Sequence, residues 1–394
     1  MKILCGWCEP AEYKIKNGGL APALRSMKKR LFFSFIVGLF CARAAHAIND
    51  GVDFLELKNT PAPSAIVDAS SGVLNLGWFS APFQTVNPEA AFPGLFKCLR
   101  KKEWQFFSLA SQSYVIGFAA VDAGYVSTLF AYAFEIQTKR FWEYEKTAPG
   151  GKAASIAKNS LSGETVFTSD TCSLKIENNL DQKAHSIDFD CADYNGNRLI
   201  AYGSVHEEGS PLVNSREVAK KRIVYTHQNS MCRPDVSVYW NDKLIYFDPD
   251  KDFATMDYTV GFHNRHTTWN WSAAGGYATD GTPVAVNFAM DIGTGSNTVP
   301  VYWIGRDIYR IERVIYDYDM ADPMQEWKIY SPDNSVDLTF QPLGMREGKK
   351  DIGILMYDIK QPFGFYNGTI KAMDGKTYTI ENMIGIAEKH IARW

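Results

Sequence analysis

Residues 257–271 hold a carboxylate, two histidines, an arginine and a Trp-x-Trp pair: Asp257, His263, Arg265, His266, Trp269 and Trp271. A carboxyl group in an apolar, aromatic setting has its pKa raised by desolvation and can serve as a general acid towards an apolar substrate. Asp257, with His227 and either His263 or His266 near it, is the candidate acid, and Asp257, His227 and His266 form the candidate catalytic group. The plainer alternative is a structural aspartate that ties a loop to backbone N–H groups. Trp104, Trp269 and Trp271 are candidates to line a ligand cavity, although tryptophans also close the bottoms of barrels. Glu388 and His390 stand two apart and share one face if the tail is a strand. Two ligands do not make a metal site, so no metal is expected. Asp248-x-Asp250-x-Asp252 opens like a calcium loop, but Phe253 stands where glycine is needed and Thr259 where the closing glutamate belongs. No nucleophile elbow, P-loop or dinucleotide fingerprint appears, and no cofactor is expected.

The elements that must position these groups read as strands. Aromatic residues make up 14% of the chain, and turn residues recur, both of which favour strands over long helices. Only short stretches such as 151–158 suit a helix. From residue 99 onward, apolar runs are cut about every ten residues by Ser-Gln-Ser and Asp-Ala-Gly, which is meander punctuation. Asn195-Gly196, Asp280-Gly281, Asn367-Gly368 and Asp374-Gly375 mark hairpins. The second half repeats the style of the first, so the expectation is an all-β chain of two antiparallel β-barrels in tandem. The barrels are assigned to residues 70–250 and 251–394, after a linker at 48–69. An outer-membrane barrel is excluded, because strand alternation in the tail would put Glu388 and His390 on a lipid-facing side.

Residues 1–47 read as an upstream extension followed by a signal peptide. Lys28, Lys29 and Arg30 precede the apolar run 31–40 and a small-x-small site at Ala45-His46-Ala47, so cleavage is expected after Ala47. That run is too short to span a bilayer. The mature chain is therefore expected to be periplasmic or secreted, without a transmembrane segment. Of 41 basic and 44 acidic residues, the leader removes 8 and 2, leaving 33 against 42 and a net charge of −9. An acidic chain without a basic stripe argues against nucleic acid as a partner. Cys5-x-x-Cys8 is half a tetrahedral site and carries no metal expectation. Cys98, Cys172, Cys191 and Cys232 survive processing. Cys172 and Cys191 sit at the outer ends of two strand runs, 172–176 and 185–190, joined by a turn. A disulfide between them is expected in an exported chain.

Several residues together carry a resemblance. Leu99-x-x-Lys102-Glu103-Trp104 is followed by Asp122-x-Gly124-Tyr125 and Phe130-Ala131-Tyr132-x-Phe134. Further on come Asp257-x-Thr259-x-Gly261, Arg265-x-x-x-Trp269-x-Trp271, Asn287 and Gly385-x-x-Glu388-x-His390-x-x-x-Trp394. Over residues 70–394 this pattern resembles the DUF2804 family, and more remotely 235–271 is similar to the carotenoid-hydratase and AttH-like proteins. The resemblance implies two lipocalin-like barrels. It also marks Trp104, Asp122, Tyr132, Arg265, Trp269, Trp271, Asn287, Glu388 and His390 as candidate ligand-binding residues. The functional expectation is a protein that binds a hydrophobic small molecule or lipid in a β-barrel pocket. The alternative is an enzyme of the hydratase, isomerase or cyclase type that uses Asp257 as its acid.

Overall fold

The computed structural model describes residues 60–92, 94–291, 299–353 and 355–394. The expected signal peptide and cleavage site, with Cys5, Cys8 and Cys41, lie outside the described residues. Two curled antiparallel sheets, each a half-barrel, make up the fold, in line with the all-β, two-barrel, lipocalin-like expectation. The first has fourteen strands and runs from Phe141–Pro149 through Val126–Glu135, Tyr114–Asp122, Lys102–Ala110 and Phe253–Gly261 to Arg222–Trp240 and beyond. The second has nine and runs from Asp307–Arg310 through Val299–Ile304, Pro283–Asp291, His266–Tyr277 and Thr377–Arg393 to Met356–Lys371 and beyond. No helix among the described residues is long and apolar enough to cross a membrane.

Phe253–Gly261 explains how the two sheets meet. All nine of its residues are buried, which requires partners on both faces. Side chains alternate along a strand. Ala254, Met256, Tyr258 and Val260 accordingly join the core of the first half-barrel, and Asp257 and Thr259 turn the other way, to a cavity shared with the second sheet. Around that cavity a separate apolar cluster, with Phe106, Tyr132, Phe134, Trp271 and Phe363, packs one sheet on the other. A third cluster, around Trp327, Phe340 and Tyr366, fills the second half-barrel.

Three organisational expectations need revision. The strand carrying Asp257 is hydrogen-bonded between Lys102–Ala110 and Arg222–Trp240 in the first sheet, so the chain changes sheet at residues 262–265 rather than at 250/251. The reason is its pairing with Lys102–Ala110, distant in sequence. At Gly261 a side chain would come within 2.6 Å of the Ile223 carbonyl oxygen, and that close approach keeps the strand seated to its last residue. Ile66 and Val67, expected in a linker, are buried in the first core, where their apolar side chains gain more than exposure would allow. Ala154–Ser155, in a short stretch expected to suit a helix, is a strand paired with Ser162–Thr168. Three of the four expected hairpin turns follow their glycines, Gly196, Gly281 and Gly375, which adopt positive φ near +84°, a region that costs glycine nothing. Asn367-Gly368 instead lies within the strand Met356–Lys371, at a shift of register against Thr377–Arg393.

Cys172 and Cys191 face each other in register across a hairpin and form a disulfide with a Cα–Cα distance of 4.2 Å. Cys98 is free and exposed, and Cys232 is free and buried. The bridge closes a loop with a sequence separation of 19 residues, which restricts the unfolded chain. Replacing both cysteines by serine is expected to lower the unfolding free energy by about 3 kcal/mol. Urea titration of wild type and double variant, each with and without reductant, checks this, and reductant should move only the wild type.

Candidate functional site

The cavity between the sheets has a volume of about 150 Å³. Its walls are rings and small apolar side chains: Trp104, Phe106 and Phe130 from the first sheet, Trp269 and Trp271 from the second. Into these walls are set two carboxyl groups, Asp257 and Glu388, two imidazoles, His263 and His390, and two amides, Gln228 and Gln361.

Each carboxyl group is gripped by an indole. The Trp104 Nε1–H donates to Asp257 Oδ2 at 3.0 Å, and the Thr259 hydroxyl donates to Oδ1 at 2.8 Å. The Trp269 Nε1–H donates to Glu388 Oε1 at 2.9 Å, and the Gln361 amide donates to Oε2 at 2.7 Å. Desolvation disfavours the charged form of a buried acid. Burial pushes the Asp257 carboxyl up, against the pull of its hydrogen bonds from Trp104, Thr259 and Gln228 and the nearby Arg216. Glu388 is pushed up to about 7 by burial, opposed by Trp269, Gln361 and Arg346 and reinforced by the charge of Asp257. Arg216, at the cavity wall, is lowered to about 10 by burial.

The imidazoles are kept neutral. His263 is lowered to about 3 by burial, then by the charges of Arg216 and Lys102. His390 is lowered to about 3 by burial and by Arg346. Their rings are stacked on the indoles that hold the acids: His390 on Trp269 with centroids 4.0 Å apart, His263 on Trp104 at 5.4 Å. Four cavity-lining side chains carry a buried polar atom without a hydrogen-bond partner: Gln228 Oε1, Gln361 Oε1, His263 Nε2 and His390 Nε2. Each orphan of this kind costs a folded protein about 1–3 kcal/mol, which makes four around one cavity a feature of the site.

The structure gathers Asp257, Trp104, Trp269, Trp271, Glu388 and His390 at this cavity. The other expected site residues stand elsewhere. His227 precedes Gln228 on its strand and so points to the opposite face, where its ring meets Glu207 Oε2 at 3.2 Å and Ser160 Oγ at 2.9 Å inside the first half-barrel. His266 is exposed at the start of its strand, and His263 is the histidine that reaches the cavity. Arg265 is exposed and donates to the backbone carbonyl of Trp394. Asp122 binds the Gly124 N–H at 2.6 Å and shapes a turn. Tyr132 is fully buried against Phe363. Asn287 stands one layer back, accepting from Trp271 Nε1 at 2.9 Å.

Gln228, Gln361, Arg216, Thr259 and Trp394 complete the lining and were not singled out as site residues by their sequence alone. For Thr259 and Trp394 a signal was present: Asp257-x-Thr259-x-x-x-His263 and Glu388-x-His390-x-x-x-Trp394 share a spacing, as do Trp104-x-Phe106 and Trp269-x-Trp271. Among the described residues, no group of three or more His, Cys, Asp or Glu side chains is arranged to hold a metal.

Residues 58–394 match the family model described as "Domain of unknown function (DUF2804)". The chain belongs to that family. No curated relative matches it by sequence. Among solved structures it is similar to kievitone hydratase from Nectria haematococca, with 9% identity, a TM-score of 0.40, and coverage of 74% of this chain and 88% of that one. It is also similar to CghA with Sch210972, with 12% identity, a TM-score of 0.44 and the same two coverages. A putative AttH from Nitrosomonas europaea has 10% identity and a TM-score of 0.33, covering 74% of this chain and 92% of that one.

The raised pKa of Glu388 sets a direction for stability. Its folded value near 7 lies above the ordinary glutamate value, so the protonated form favours the fold. That contribution is complete below about pH 4 and is lost as pH rises through 7. Glu388→Gln removes the dependence. The stability of E388Q relative to wild type is therefore expected to increase by up to about 3 kcal/mol between pH 5 and pH 8. Urea unfolding of both proteins at the two pH values measures the difference.

Proposed function

We propose that this protein binds a small apolar molecule in the cavity between its two sheets. The observation that carries the reading is an aromatic-walled space of about 150 Å³ with a few polar groups set into it. A cavity of that size holds a ring-sized guest, and apolar walls with few placed polar groups are what such sites offer. The site differs from the expected barrel pocket in lying outside both half-barrel interiors, which their own cores occupy.

A second reading has one observation in its favour. Glu388, held near 7 beside His390, is placed where a carboxyl can give up a proton at neutral pH. Asp257, also pushed up by burial, is the other candidate acid. Under this reading the guest is a substrate and the two carboxyl groups act on it.

One experiment addresses both. Organic extracts of the purified protein are analysed by mass spectrometry for wild type, Asp257→Asn, Glu388→Gln and Ala289→Leu, the last filling the cavity wall. A binding protein yields the same apolar compound from wild type, D257N and E388Q and little from A289L. An acid catalyst yields one compound from D257N or E388Q and its altered product from wild type. Extracts free of apolar compounds from every form, with no gain in thermal stability on adding benzene, would count against both.

Export to the periplasm or the medium is part of the same proposal, supported by the leader-like segment ending at Ala47 and by a disulfide of the kind that persists in oxidising compartments. The exported protein is expected to begin at Ile48, and N-terminal sequencing of material from the cell exterior or periplasm checks it.

A further inference from the structure

The cavity is built twice. Trp104 lies opposite Thr259, two residues past Asp257, and Trp269 lies opposite His390, two residues past Glu388. Phe106 lies opposite Asp257, and Trp271 opposite Glu388. Gln228 faces Asp257 from the next strand, and Gln361 reaches Glu388 from the corresponding one. Ala119 beside Phe106 matches Ala289 beside Trp271. The strands that bear these residues follow one another in the same order in both sheets. Each half therefore contributes one clamp made of a carboxyl group, an indole and an amide.

At the Glu388 clamp the Gln361 amide nitrogen donates to the carboxyl group at 2.7 Å, which fixes that amide's orientation, and at the other clamp Gln228 stands in register with Asp257 on the neighbouring strand. Both amide oxygens are left without a partner, on side chains only 5% and 2% exposed. An amide oxygen has acceptor capacity only, and in an apolar wall it is satisfied by a donor brought in from outside. Two such acceptors, at equivalent positions on opposite walls of one cavity, ask for two donors on the guest.

The geometry points to a ligand with a ring-sized apolar body and two hydroxyl groups, one donated to Gln228 Oε1 and the other to Gln361 Oε1. This rests on the cavity being a small-molecule site. The two ends are not alike. Thr226 and Thr259 flank the Asp257 clamp, and their equivalents at the Glu388 clamp are Ile359 and His390. One hydroxyl thus enters surroundings rich in hydroxyl groups, and the other meets an imidazole stacked on Trp269. A diol fits this pattern; a hydrocarbon or a mono-alcohol leaves at least one acceptor unmet.

The test titrates the full-length protein with benzene, phenol and hydroquinone by calorimetry. Each hydroxyl is expected to tighten binding by up to about tenfold, placing hydroquinone first and benzene last. Gln228→Leu and Gln361→Leu should each narrow the gap between hydroquinone and benzene by about that factor. If one of these variants does not fold, the wild-type series alone decides. Equal affinity for the three probes overturns the diol inference while leaving an apolar binding site in place. No binding of any probe overturns the underlying reading as well.

Discussion

Two carboxyl groups share one aromatic cavity, and the rest of the site answers to that constraint. Removing a charged carboxylate from water is expensive, so each acid is given an indole N–H donor and is driven towards its neutral form. The same scarcity of water keeps both imidazoles uncharged. The imidazoles and amides lining the space are then neutral hydrogen-bond partners, suited to a largely apolar guest, with the Arg216 guanidinium at the wall. That balance depends on Phe253–Gly261 being covered on both faces, since an exposed face at Asp257 would return its carboxyl to water.

The fold was legible because its signals are short-range. Alternation within strands and glycine at positive-φ turns act over a few residues, and Gly196, Gly281 and Gly375 sit where their dipeptides implied. The register between Cys172 and Cys191 followed from one hairpin. The point where the chain leaves the first sheet was not legible, because Phe253–Gly261 pairs with Lys102–Ala110, more than one hundred residues earlier, as well as with Arg222–Trp240. Nothing local distinguishes a strand that ends one sheet from one that begins another.

The site was legible in part for the same reason. Asp257, the tryptophans, Glu388 and His390 announce themselves by type and density. Which histidine joins them is a question of parity, and here one position decides. His227 and Gln228 are adjacent, yet one lies inside the first half-barrel and the other at the cavity. His263 lies in the crossover between sheets, where no strand period applies, and it is buried while His266 is exposed. Gln361 is an unremarked amide in the sequence and acquires meaning only through its contact with Glu388.

Glu207 shows what a sheet one residue thick can separate. Two imidazoles hold it, His185 at 2.8 Å and His227 at 3.2 Å, together with Asn229 at 3.1 Å. Although it is buried, these partners draw its carboxyl far below the usual range, so it keeps its charge. Across the same strand, beside Gln228, the buried carboxyl of Asp257 is pushed the other way. Arg222–Trp240 thus separates a buried carboxyl held in its charged form from one pushed towards neutrality, and the parity of a side chain decides which surroundings it enters.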